Sequence, residues 1–288
     1  MDYDFLLLKL KSIFGPANMN WELFGWNVLT MLLALVIEAF YTGWENSSIR
    51  HLISKPDQSA KNDIWSWLIS VFNLFKFISI ILSLGIGYWF FGFIVKKFNL
   101  QSLQLIEYPL LQFFAATAAY DLVNYTKHRL SHYFNWYWEL HKFHHSATEM
   151  NVLTAHRTHF LEETFDSIIR ALPFAILGAP VESFLWFYLL KEIQQNLHHS
   201  KVHWTWGWVG RWIFVSPAGH RLHHSKNPKH FGKNFASIFV IWDKLFGTYH
   251  APEIITEFGV DDNYYNRGSF PINIWMGCKI FWLRIIGK

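Results

Sequence analysis

Fifteen of the sixteen histidines in this 288-residue chain lie between His128 and His250. Three groups of them have helical spacing. His128 and His132 stand four residues apart in HRLSH; His141, His144 and His145 form HKFHH; and His220, His223 and His224 repeat that H-x-x-H-H pattern in HRLHH. On helices each group projects its imidazoles from one face. Neutral imidazole is a borderline ligand that suits iron, zinc, copper or nickel, and eight rings can hold two ions. Packing explains any single histidine, but not three regularly spaced groups. The i, i+3, i+4 arrangement also lets the adjacent His144 and His145 lean toward different metals. Cys278 is the lone cysteine, which excludes an intramolecular disulfide framework, a Cys-ligated iron–sulfur cluster and a CxxCH haem attachment. A metal here must be held by nitrogen or oxygen.

Two familiar chemistries fit less well. HxxxH is also the ligand spacing of HExxH zinc peptidases, but position 129 is Arg where the general base would be Glu. Carboxylate-bridged di-iron bundles need Glu-x-x-His on paired helices, a pattern this chain lacks. Its nearby acids Asp121, Glu139, Glu162 and Glu163 are instead expected to accept hydrogen bonds from imidazole N–H groups.

The elements that must carry these residues read as helices in and on a bilayer. Hydrophobic residues are 52% of the chain, aromatic residues 19% and charged residues 16%, against about 25% charged in ordinary soluble domains. The net charge is +4, and the cations are interleaved with Trp and His, which suits anionic lipid headgroups. No nucleic-acid motif occurs, so nucleic acid is not an expected partner. The first twenty residues read as an interfacial lead-in with no cleavage pattern of a signal peptide. Residues 24–41 form a first expected crossing, interrupted only by Asn27, Thr30 and Glu38. A polar, linker-like stretch follows at 42–63, where His51 reads as solvated. Residues 64–95 suggest one long tilted helix, within which Gly85, Gly87 and Gly92 suit close helix packing better than a nucleotide loop. A third crossing at 105–120 runs directly into the first histidine group, which puts the metal site at the membrane surface.

Residues 164–193 are again apolar and break near Gly178-Ala179-Pro180, which predicts a membrane hairpin of two short helices. The Trp-rich stretch 204–212 reads as an interfacial belt, and the tail from Phe270 as a helix lying in the interface. Residues 196–233 carry six Lys and Arg and no acid, so the positive-inside rule turns the histidines to the cytoplasm and, with three crossings, leaves the N-terminus outside. The expected fold class is therefore all-α: an integral-membrane helical bundle with a cytosol-facing, histidine-rich helical cap. Its expected parts are 1–104 (two spans and a polar linker), 105–250 (the catalytic domain) and 251–288 (the tail).

The segments DLVNYTKHRLSH from Asp121, WELHKFHHS from Trp138, NVLTAHRTHFLEE from Asn151, NLHHSKVHW from Asn196 and SPAGHRLHHSKNPKHFGKNFASIFVIWDKLFGTY from Ser216 together resemble the fatty acid hydroxylase and sterol desaturase superfamily of integral-membrane di-iron oxygenases. The resemblance covers roughly residues 105–250, and its ending, NFASIFVIWDKLFGTY, is not something a metal argument alone would predict. It implies a cytosol-facing two-metal centre, iron in the working enzyme and zinc possible in purified protein, that activates O2 and oxidises a C–H bond of a lipid such as a sterol or fatty acyl chain, by hydroxylation or desaturation.

By motif match the resemblance implies His128, His132, His141, His144, His145, His220, His223 and His224 as ligands. His199 matches a further family histidine in a Q-H-S-N segment, and His159 matches the family's R-x-H-P, although Phe160 stands in place of the Pro and Leu197-His198 precedes His199. His156, His198 and His203, with Asp121, are expected around the ligands, and His230 and His250 at the surface. No flavin or nicotinamide fingerprint and no His-Pro-Gly-Gly haem module is present, so electrons are expected from a separate ferredoxin, cytochrome b5 or reductase docked on the basic face. A membrane zinc hydrolase and a non-enzymatic metal transporter or buffer are the alternatives; against the transporter, the histidines follow the spans instead of lying inside them.

Overall fold

The computed structural model describes residues 21–54, 56–72, 102–177 and 181–287, with isolated positions between 73 and 101. The lead-in at 1–20, most of the long tilted helix expected at 64–95 with its glycines, and the hairpin turn at 178–180 lie outside the described residues. What is described is helical, with two isolated β-bridges and no extended strand.

Helix α1, Trp21–Thr42, has two faces. Leu29, Leu32, Leu33, Val36 and Phe40 are exposed at helical spacing. The three polar residues that interrupt its sequence all turn inward. Asn27 Nδ2 donates to Glu192, Thr30 Oγ receives a bond from Asn196 Nδ2, and the buried Glu38 carboxylate accepts from the Ser48 and Lys201 backbone N–H groups. In an apolar helix each would cost several kcal/mol without a partner, so their pairing fixes which face meets the bundle. Among the described residues, one stretch, Phe24–Thr42, is long and apolar enough to cross a membrane.

The polar stretch expected as a linker folds into short helices α2 (Ser48–Ser54) and α3 (Gln58–Val71). Asn62 and Asp63 on α3 are fully buried. The reason is Arg157, itself fully buried, whose guanidinium bonds Asp63, Ser59, Ser146 and Asn266 and whose Nε donates to the Phe143 carbonyl. Burying a charge is tolerated only with such complete pairing.

Of the crossing expected at 105–120, residues 109–120 form the start of α4, Pro109–Tyr133, with Pro at its first turn; Leu105 closes a separate short turn, Ser102–Leu105, and α4 is not among the described helices long and apolar enough to cross a membrane. Phe134, the one non-helical residue at its end, separates it from α5, Asn135–His145. Phe134 N–H closes α4 on Leu130 while its carbonyl receives Tyr137 and Trp138 N–H. This single-residue joint folds HxxxH back against HxxHH. The expected hairpin is two helices, α6 (Phe160–Leu177) and α7 (Val181–His199); α6 packs on α4, and α7 on α1 and α4. Helix α8 is Gly207–Trp212, α9 is Pro217–His223 and α10 is Ile241–Leu245.

The tail helix α11, Phe270–Ile285, is built into the molecule on one side. Phe270 and Ile274 join Phe143 and Tyr265, and Phe281 joins Tyr137 and Leu140. Its other side exposes Ile272, Trp275, Trp282 and Ile285.

Candidate metal centre

Nine histidines converge into two groups. In the first, one ligand atom from each of His128, His132, His141, His145 and His223 lies within 4.8 Å of all the others; His144, His199, His220 and His224 form the second on the same criterion. Helix α4 supplies two rings, α5 three, α7 one and α9 with its C-cap three. Helix α9 is set by Ser216, whose Oγ accepts the Gly219 N–H, and by Pro217 at its first position.

The donor set of each group fits a cation. In the first, all five Nε2 atoms are buried with no hydrogen-bond partner, a costly state for neutral imidazoles that a metal would relieve. Three of the far nitrogens are committed. His128 Nδ1 bonds the Phe235 carbonyl at 2.8 Å, His223 Nδ1 the Lys233 carbonyl at 2.8 Å, and His141 Nδ1 the Glu162 carboxylate at 2.7 Å. Each acceptor requires the proton on Nδ1 and so leaves the Nε2 lone pair facing the centre. In the second group, His199 Nε2 is 3.2 Å from His144 Nε2 and 3.1 Å from His220 Nε2, and His224 Nε2 is 3.2 Å from His220 Nε2. Ligands held at about 2.1 Å from one ion sit roughly 3.0–3.4 Å apart.

Burial holds eight of these rings neutral. His128, His132, His144, His145, His220 and His224 are pushed well below the usual histidine range by desolvation and mutual repulsion, and His199 and His223 to about 3. Glu162 behaves oppositely. Burial would raise its carboxyl, but the His141 ring and the Lys127 ammonium outweigh that and lower it. Lys127 Nζ lies 3.4 Å from Glu162 and 2.8 Å from Asp166.

Two cavities flank the groups. One of about 570 Å³ reaches His132, His145 and His223, with Trp138, Phe231 and Phe235 as apolar wall and Arg129, Lys142 and Lys226 among its charged lining; one of about 110 Å³ reaches His144, His199 and His220 beside Lys127 and Gln194.

Several expected site residues stand elsewhere. His159 does not join either group: its Nε2 lies 3.1 Å from the Ile274 carbonyl and its Nδ1 accepts the Leu161 N–H, so both nitrogens are committed against α11. Asp121 touches no histidine and instead accepts the Ile238 and Phe239 N–H groups. Glu139 is taken by Tyr264 and Arg284. His198 bonds the Val215 carbonyl and stacks on His220 at 5.1 Å. His156 lies 3.4 Å from the Ser70 hydroxyl, outside both groups, and His203 is half-buried outside them. His230, expected at the surface, is buried.

The sequence reading missed what aims the rings. The loop 233–243 supplies the Lys233 and Phe235 carbonyls, and it is tied down at both ends. Asp243 accepts the Phe235 and Ala236 N–H groups and the Thr248 hydroxyl, while Asn234 donates to the Gly219 and His250 carbonyls. The signal was present in NFASIFVIWDKLFGTY, whose polar residues are these ties.

The described residues thus form a helical scaffold around two adjacent buried imidazole groups, each of which could hold a metal ion. The family model described as fatty acid hydroxylase matches residues 113–248, a little under half of the chain. It is 36% identical over 128 residues to ornithine lipid hydroxylase OlsE of Rhizobium tropici, covering 44% of this chain and 38% of that protein. It is 34% identical over 131 residues to alkylglycerol monooxygenase of Caenorhabditis elegans, covering 46% and 25%, and 31% identical over 175 residues to the Homo sapiens alkylglycerol monooxygenase, covering 58% and 35%. The match thus spans well under half the length of these relatives. No solved structure matches this chain.

Proposed function

We propose that the chain is a membrane oxygenase that uses O2 and electrons from a separate carrier to hydroxylate, or desaturate, a C–H bond of a lipid. The observation that carries this reading is the pair of buried imidazole groups: the five Nε2 atoms of the first are unsatisfied without a ligand, and the Nε2 atoms of the second are spaced for ligation. Their place inside a fatty acid hydroxylase domain, and relatives named for lipid hydroxylation and monooxygenation, support iron over zinc and lipid over other substrates.

The first group would hold one ion through His128, His132, His141, His145 and His223, and the second another through His144, His199, His220 and His224. Iron bound there supplies O2 activation and C–H oxidation. The protein's own part is positional. Glu162 and the Lys233 and Phe235 carbonyls fix the tautomers of His141, His223 and His128, Lys127 balances the Glu162 charge, and Trp138, Phe231 and Phe235 give the larger cavity an apolar wall. We place the lipid segment to be oxidised in that cavity.

The exposed apolar face of α1 and the hairpin α6–α7 anchor the domain in the bilayer in this reading, with several crossings and the histidine groups on the cytoplasmic side. The electron carrier is a ferredoxin, cytochrome b5 or reductase. Anaerobically purified protein is expected to hold two irons and to oxidise lipid only with O2 and reductant. His144→Ala and His223→Ala, one from each group, are expected to abolish turnover and lower iron content while leaving membrane insertion intact. Full activity in both variants, or stable zinc with O2-independent hydrolysis, would overturn the proposal.

A further inference from the structure

A third cluster lies apart from the nine rings. We propose that His230, His250 and Glu253 form a separate site for a borderline divalent cation such as zinc or cobalt. One ligand atom from each of the three lies within 4.8 Å of the other two. Glu253 presents one oxygen to each ring: Oε2 is 3.6 Å from His230 Nε2 and Oε1 is 3.7 Å from His250 Nε2. Both distances are too long for a hydrogen bond and leave space between the donors.

The two rings are prepared differently. His250 Nδ1 donates to the Ala251 carbonyl at 2.8 Å, which frees its Nε2 lone pair. His230 has a side chain only 5% exposed and its Nδ1 is buried without a partner, so the protein gives the ring no hydrogen bond at that nitrogen, while its Nε2 is the atom that faces Glu253. Two imidazoles and a carboxylate with open positions are a donor set suited to zinc and its analogues.

The position gives the site a use. His230 ends the turn Pro228–His230, three residues before Lys233, whose carbonyl aims His223. The His250 backbone gives its N–H to Asn234 Oδ1 and receives Asn234 Nδ2 on its carbonyl. A cation here clips together the two chain segments that Asn234 joins, and so stiffens the loop supporting the first histidine group. The site does not depend on which reaction the nine histidines perform.

The test is cobalt titration of the full chain in detergent, read by metal content, visible absorption and thermal midpoint. The variants are His250→Ala and Glu253→Gln, both at partly exposed positions. The wild type is expected to bind one more equivalent of cobalt than either variant, with an added visible band and a higher midpoint that the variants lack, and with the metal content of the five- and four-histidine groups equal in all three. Equal cobalt content and spectra in the wild type and both variants would overturn the site. So would a difference between them that appears only as acid-dependent stability, the mark of a simple histidine–glutamate ion pair.

Discussion

Glu162 accepts the His141 Nδ1–H at 2.7 Å and faces Lys127 at 3.4 Å with the same oxygen. A carboxylate behind a ligand imidazole raises its basicity and fixes its orientation, and removing such a partner typically costs 10–100-fold in metal affinity. Glu162→Gln keeps the shape and an acceptor but removes the charge that Lys127 balances. It is expected to weaken retention of the first group's metal by about 10–100-fold against a chelator, while the second group, which Glu162 does not touch, changes less. Equal loss from both groups, followed by metal-resolved competition, would deny Glu162 this local role.

The loop between α9 and α10 is the element that turns helical spacing into a site. Asn234 has φ +55°, a left-handed conformation that Asn tolerates better than most residues, and its side chain makes three bonds, to Gly219, His250 N–H and the His250 carbonyl. Asn234→Ala removes those bonds and keeps the strained backbone, a loss of about 2–4 kcal/mol measurable by thermal or denaturant unfolding. Asn234→Gly relieves the backbone and is expected to recover part of that stability but not the metal content, because the loop carrying the Lys233 and Phe235 carbonyls stays loose.

At this scale the limits of the sequence are physical. The histidine groups and the helices that bear them follow from short-range periodicity, so they are legible in HRLSH, HKFHH and HRLHH. The partner of Arg157 stands 94 residues away at Asp63, and those of Asp121 stand 117 and 118 residues away. No local pattern announces such pairs. His159 misled for a related reason: its motif matched, but the residue that occupies its nitrogen lies on α11, 115 residues further on.

For the whole molecule, the buried neutral imidazoles set the response to acid. Their folded pKa values lie below the ordinary 6.5, with His159 and His198 held down to about 4 by burial. The unfolded chain therefore takes up protons that the folded chain refuses. Stability is present above pH 6.5 and falls as the pH drops from 6.5 toward 4, by up to about 1.4 kcal/mol per pH unit for each such ring. Asp63, Asp121 and Asp243, raised by burial, act in the opposite sense but are fewer. Metal-free protein is expected to show a falling thermal midpoint across this interval. A midpoint independent of pH from 6.5 to 4 would contradict the burial of these rings.

His144 and His145 are consecutive on α5, yet their rings stand at 90° to one another and serve different groups. One peptide unit is thus common property of both. Any slide or rotation of α5 that seats an ion in one group also presets the other, so the two occupancies are thermodynamically linked. A population of such chains, supplied with too little metal, would divide into full and empty molecules, with singly filled ones scarcer than chance allocation gives.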